Sequence, residues 1–182
     1  MFWAKLPRKT RMPRIYEEIK QSKPERTPGQ AAVITIFRTA DVLVHAIERA
    51  LSPFGVSNEQ YNVLRILRGA GENGLPTLEI SSRMVSRSPN ITRLLDRLIA
   101  KKLVTRRRLK EDRRVVMVCA TPQGLELLKH LEAVVDRVFE SFPRTTDAEM
   151  EMLLHLLDRI REHMAVKTTA EISLDRPRPT RV

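Results

Sequence analysis

Between Ser86 and Arg114 the chain concentrates side chains that bond nucleic acid. Asn90, Thr92, Arg93 and Arg97 are types that hydrogen-bond base edges and phosphates in a major groove, and Lys101 follows them. A basic run, Arg106-Arg107-Arg108-Leu109-Lys110, comes next, and then Glu111-Asp112-Arg113-Arg114. This stretch holds eleven Lys or Arg against three Asp or Glu, a net +8 in a chain of formal net charge +11. A charge run by itself is usually a solvated surface. Here the charge sits on one helix and the hairpin directly behind it, which points to a polyanion surface.

Other chemistry has no comparable support. There is no phosphate-cradling loop of the Walker type and no dinucleotide glycine pattern. His45, His130, His155 and His163 are scattered, and no Cys or paired carboxylate completes a metal set with them. Cys119 sits in an apolar segment with no His nearby in sequence, so a buried, inert thiol is expected. Ser, His and Asp occur without a motif linking them. The chain reads as a non-enzyme without cofactor or metal.

The elements that must position the basic groups follow from periodicity. Ser88 can cap a helix and Pro89 suits its first position. Ile91, Leu94, Leu95 and Leu98 then form one apolar face, which predicts a helix over Pro89–Lys101 with Asn90, Thr92, Arg93, Arg97 and Lys101 outward. Leu103-Val104-Thr105 and Val115 to Ala120 predict paired strands, with the charged residues at the tip of a β-hairpin. A basic hairpin behind a basic helix is a winged helix-turn-helix arrangement, with the helix in a major groove and the wing Thr105–Val115 along the adjacent minor groove. Upstream, Pro76-Thr77-Leu78-Glu79 opens a short helix to about Met84. Thr77 is its expected cap, Leu78, Ile80 and Met84 pack inward, and Val85-Ser86-Arg87 form the turn.

Four further helical stretches are predicted. Gln30 to Leu51 carries the stripe Val33, Phe37, Ala40, Val44, Ile47 and Leu51. Ser57 begins a second helix with Gln60 as its capping-box partner, and Tyr61, Leu64, Ile66 and Leu67 give its apolar face. Thr121 caps a third helix, 122–142, with Leu125, Leu128, Leu131, Val135, Val138 and Phe142 in line. Thr146, with Glu149, caps a fourth helix at about 146–165, which carries Met150, Leu153, Leu157, Ile160 and Met164. Helices 30–51, 122–142 and 146–165 present more apolar surface than a small winged helix can cover. A helical dimer interface is the economical reading, and an intramolecular bundle is the alternative.

The fold expected is therefore mainly α with a small β-hairpin wing: a winged helix-turn-helix lobe, about 57–121, and a helical dimerisation lobe. Residues 1–29 read as a basic N-terminal extension, with Ile15 to Lys20 able to form a short helix. That extension is a flexible tail, an extra DNA arm, or a wrap around a partner subunit. Residues 166–182 read as a Pro- and Arg-containing tail. A pI near 10.5 favours a polyanion partner. A single cysteine fits a reducing cytosol. No apolar run approaches the ~20 residues of a membrane span, and the N-terminus lacks the apolar segment of a secretory signal.

The segments TRLLDRLIAKKLVTRR, EDRRVVMV and TPQG together resemble the signature of the multiple-antibiotic-resistance regulator (MarR) family. Thr92 to Leu98, Leu103-Val104, Asp112 with Arg114, and Thr121 with Gly124 carry the resemblance, which extends over roughly residues 30 to 165. Where the family has Gly after its recognition helix, this chain has Lys102, and Arg108-Leu109-Lys110 replaces a Pro/Asp-rich turn in the wing. The resemblance implies a cytoplasmic bacterial regulator, a ligand-responsive repressor acting as a homodimer on a pseudo-palindromic operator. It makes Arg114 the wing arginine, positioned by Asp112. Asn90, Thr92 and Arg93 are then the base or nearby phosphate contacts. Arg97, Arg106, Arg107 and Lys110 are phosphate contacts, and Ser88 and Arg113 complete the candidate DNA-binding set. It also implies small aromatic or amphipathic anions at the junction of the dimer helices and the DNA-binding lobe, near His45, Tyr61 and Arg65. A winged-helix protein-interaction module without specific DNA binding is the alternative function.

Overall fold

The computed structural model describes residues 15–20, 27–86, 90–108, 116–140 and 143–170. The chain divides into two compact units, Met1–Ser141 and Phe142–Val182.

In the first unit, a short helix α1, Ile15–Glu18, buries Ile15 and Tyr16 and packs on α2, Pro28–Leu51. Helix α2 starts two residues before the predicted Gln30. Thr27 forms a capping box with Gln30: the Gln30 N–H donates to Thr27 Oγ1 at 3.3 Å, and Thr27 N–H donates to Gln30 Oε1 at 3.1 Å. The C-terminal turns of α2 pack on α3, Asn58–Ala70, and α6, Pro122–Glu140, with Leu51 fully buried. Its N-terminal stripe stays uncovered: Phe37 is 71% exposed and Val33 49%. By length and composition alone α2 and its following turn suit a membrane span, with mean hydropathy 1.3, which the sequence reading did not grant. That apolar window has no buried share, and of the whole helix only Leu51, at its C-terminal end, is buried in the core.

Helix α3 has the predicted capping box, Ser57 with Gln60. It buries Tyr61, Val63, Leu64 and Leu67. A 3-10 turn, Gly71–Asn73, continues it and leads into a two-residue strand β1, Leu75–Pro76. Helix α4, Thr77–Arg83, follows at once. Two expectations fail here. Thr77 is inside the helix, and Pro76 holds the cap position with no side-chain bond. Leu78 points outward, 83% exposed, while Ile80 and Met84 are buried as expected.

Helix α5, Ile91–Ala100, starts two residues later than Pro89, with Asn90 in the cap position and no side-chain cap bond. Ser88, the expected cap, and Pro89 lie outside the described residues. Strands β2, Val104–Arg108, and β3, Val116–Ala120, pair antiparallel, and β1 adds to the far edge of β3, giving the order β1-β3-β2. The core gathers Leu64, Leu67, Ile80, Leu95, Leu98, Val118, Leu128 and Leu131 from α3, α4, α5, β3 and α6, all fully buried. Truncating any of these leucines to Ala costs ~2–5 kcal/mol.

The junction between β3 and α6 explains the TPQG motif. Thr121 Oγ1 donates to the Lys102 carbonyl at 2.7 Å and accepts from the Gly124 N–H at 3.0 Å. Thr121 N–H donates to the Leu103 carbonyl at 3.0 Å. A Cβ on Gly124 would collide with that same carbonyl, so only Gly lets α6 come this close. In α6, Leu128, Leu131 and Val135 are fully buried, while Leu125 is 37% exposed and Phe142 lies outside the described residues.

The second unit contains α7, Asp147–Ala170. Its predicted cap is present: Glu149 N–H donates to Thr146 Oγ1 at 3.3 Å, and Thr146 N–H donates to the Glu149 carboxylate at 2.9 Å. The helix runs on past residue 165. Leu153, Ile160 and Met164 of the predicted stripe are exposed, as are Met152, Leu154 and Leu156.

Candidate nucleic-acid interface

Helix α5 separates its two kinds of residue cleanly. Leu94, Leu95 and Leu98 are buried and Ile91 is partly buried against the core, so rotation of the helix about its axis is fixed. Asn90, Thr92, Arg93 and Arg97 are all exposed. Arg93 and Arg97 lie four residues apart and so share one face. Neither makes an ion pair among the described residues. The turn before α5 is held from behind: the Val85 N–H donates to Asn62 Oδ1 of α3 at 3.0 Å.

The helix ends in a Schellman arrangement. Leu103 N–H donates to the Leu98 carbonyl at 3.0 Å and Lys102 N–H to the Ile99 carbonyl at 2.8 Å. Lys102 takes the left-handed conformation this requires, with φ 59°. Lys101, expected on the outward face, instead turns away from it. Its Nζ donates to the Gly55 carbonyl and reaches Gln60 Oε1 at 3.4 Å, tying the end of α5 to the start of α3.

The wing strands carry their arginines on alternating faces. Arg106 turns back to α5 and pairs with Asp96 at 2.8 Å. Arg107 turns to the other side, where Nη2 donates to the Glu72 carbonyl at 2.7 Å and the Asn73 carbonyl at 3.2 Å. Of the candidate set, then, Asn90, Thr92, Arg93 and Arg97 come together on one exposed face, while Arg106 and Arg107 are engaged within the protein. Ser88, Lys110, Asp112, Arg113 and Arg114 lie outside the described residues. Asp96 and Asn62 escaped the sequence reading. Asp96, an acid in the middle of a basic face, was the available signal; Asn62 offered none, because its partner is 23 residues away.

Around the expected ligand junction, Tyr61 is buried, and that burial pushes its phenol up despite the opposing Arg65 guanidinium 5.8 Å over the ring. Glu132 and Asp136 of α6 push it up further, and Glu132 itself is paired with Arg68. His45 is exposed and lies 3.3 Å from the Asp41 carboxylate and 3.4 Å from that of Glu48 on its own helix, with no contact to Tyr61 or Arg65 among its ion pairs. A hollow of about 470 Å³ opens elsewhere, at the N-terminal end of α2 beside Thr27, Gln30, Val33 and Ile34. Cys119 is buried, and its Sγ lies 3.7 Å from the Glu72 carbonyl. Among the described residues, no three His, Cys, Asp or Glu side chains gather as a metal set.

The MarR family model matches residues 56–116. YpoP, an uncharacterized HTH-type transcriptional regulator of Bacillus subtilis (strain 168), is 33% identical over 110 residues, 58% of this chain and 74% of that protein. The crystal structure of a MarR transcription factor from Planctomyces limnophilus is 37% identical, with a TM-score of 0.56 over 81% of this chain and 100% of that one. MepR of S. aureus, solved in complex with DNA, shares the fold at 22% identity, with a TM-score of 0.63 over 76% of this chain and 99% of that one. The matched region is the lobe built from α3, α4, α5 and the wing, and on these likenesses the chain belongs to the MarR family: it is a winged-helix transcription regulator, of a class that binds DNA and is not enzymatic.

Proposed function

We propose that the chain acts as a homodimeric repressor on a pseudo-palindromic operator and releases it on binding a small aromatic or amphipathic anion. The observation that carries the reading is the segregation on α5. Three leucines lock one face into the core, and Asn90, Thr92, Arg93 and Arg97 are left exposed on the other. An α-helix is ~10–12 Å across with its side chains, which suits the ~12 Å width of a major groove, and this ten-residue helix offers ~15 Å of length along it. Arg93 and Thr92 reach base edges or nearby phosphates, Arg97 a phosphate, and the wing with Arg114 the adjacent minor groove.

Dimerisation rests on uncovered apolar surface. Val33, Phe37 and Val44 on α2, and Leu153, Leu154, Ile160 and Met164 on α7, are large hydrophobics left in water. A two-fold dimer places its recognition helices in half-sites one turn apart, ~10 base pairs. Occupying that stretch excludes other proteins from it, which is the physical basis of repression.

A gel-shift titration with the DNA upstream of the chain's own gene, against a scrambled duplex of equal length, tests the reading, with light scattering for the stoichiometry. A preference for the upstream duplex by a particle of two chains is expected. Equal binding to both duplexes, or a stable monomer at micromolar concentration, contradicts it.

A further inference from the structure

The sequence places Arg106, Arg107 and Arg108 together as one basic run, but their geometry assigns Arg107 a task apart from DNA. We propose that Arg107 is a positioning residue that clamps the wing to the C-terminal end of α3 and so sets the wing's place relative to the recognition helix. The functional part of this rests on the DNA-binding reading above.

The clamp is built from both sides. The carbonyls of Glu72 and Asn73 belong to the 3-10 turn that prolongs α3. The carbonyl end of a helix carries partial negative charge and lacks intrahelical donors. Arg107 supplies a cationic donor to both carbonyls, at 2.7 Å and 3.2 Å, from a strand 34 or 35 residues away in the chain. The turn and the sheet already touch. Gly74, at φ 67°, sits where a Cβ would collide with the Val118 carbonyl of β3. The next two residues, Leu75 and Pro76, pair with Val118 and Met117. Arg107 itself sits opposite Met117 on the other edge of the same strand. The guanidinium thus bridges β2 to the backbone that runs directly into α4, the first helix of the helix-turn-helix. With β1–β3 pairing and the Arg106–Asp96 pair, the wing is held at three points. The two carbonyls take Nη2, which leaves a phosphate only the Nη1 and Nε side of the guanidinium.

Salt dependence separates the two roles. A phosphate contact contributes ~0.9 to the log–log salt slope, so losing one per subunit lowers a dimer's slope by about 2. A positioning residue changes affinity and leaves the slope alone. The test compares the full chain with Arg107→Ala, Arg107→Met and, as a phosphate-contact control, Arg97→Ala. Each is titrated against the upstream duplex over a salt series, and amide hydrogen exchange is followed without DNA. Arg107→Ala is expected to weaken binding about tenfold at every salt concentration, the size of one lost charge-assisted hydrogen bond, with the slope unchanged. Amides of 72–75 and 104–108 should exchange faster in the Arg107 variants and not in Arg97→Ala. Should Arg107→Ala fail to fold, Arg107→Met, which keeps the aliphatic stem, carries the same reading. A slope reduced by about 2, unchanged exchange at 72–75, or unchanged affinity overturns the proposal. If the unsubstituted chain binds no DNA, the functional reading falls, while the exchange data still decide whether the clamp exists.

Discussion

At the residue scale, single atoms decide which side chains are free for DNA. Lys102 sits at φ 59°, where a residue with a Cβ carries a strain of ~1 kcal/mol that Gly avoids. Lys102→Gly is therefore expected to leave stability unchanged or raise it by up to ~1 kcal/mol in a urea titration. A loss of more than ~1 kcal/mol would show that the lysine side chain makes a needed contact. The left-handed position was legible from the family's Gly at that place, because a Schellman end needs it. Arg93→Ala and Arg114→Ala should differ in kind. Loss of a base contact costs ~1–3 kcal/mol and relaxes specificity at one position. Loss of a wing arginine in a narrow minor groove weakens binding overall and dulls any A·T preference. Affinity for the upstream duplex unchanged by Arg114→Ala at about 150 mM salt would remove the wing from the account. The engagement of Arg107 and Lys101 was not legible at all, and that of Arg106 had only Asp96, an acid on a basic face, to signal it. Their partners, Asp96, the 72–73 carbonyls and Gly55, are set by tertiary packing, which a run of like charges does not reveal.

At the scale of elements, what local chemistry dictates was readable and what a distant partner dictates was not. The capping boxes at Ser57 and Thr146 and the Thr121 cap need only residues within three positions, and the structure has all of them. Strand β1 exists because β3 lies beside it; Leu75–Pro76 has no strand signature of its own. With Pro76 in the cap position, α4 begins at Thr77, and Leu78 points to solvent instead of the core. Helix α7 offers a test in its own unit. Hydrogen bonds from the Thr146 backbone and side chain hold the Glu149 carboxyl below its usual range. A depressed carboxyl stabilises the fold above its unfolded pKa of ~4.3 and loses that contribution as pH falls through the lower folded value. The Thr146 amide resonance should therefore stay constant from neutral pH to about pH 5 and move only below about pH 4. A transition between about pH 5 and pH 7 would mean that Glu149 does not hold this cap.

At the scale of the whole molecule, basic character is placed. The stretch from Ser86 to Arg114 carries net +8 and residues 1–26 carry net +5, while the chain totals +11, so the charge outside these stretches is not basic overall. A ligand that loosens the dimer's grip must bind the DNA-incompetent state more tightly, and a tenfold loss of DNA affinity needs ~1.4 kcal/mol of coupling. Reciprocity then requires saturating operator DNA to weaken the ligand tenfold. Calorimetry with salicylate-like and longer amphipathic acids, with and without the duplex, reads this directly, and ligand affinity indifferent to DNA would show that no coupling exists. The central claim is that the outward face of α5 and the wing are where the polyanion sits. Its most direct test is the salt dependence of binding to the upstream duplex by the unaltered chain. With about four phosphates neutralised per subunit, a dimer is expected to show a log–log slope of roughly −7, and a slope near −2 would contradict it by showing that this basic surface is not the binding face.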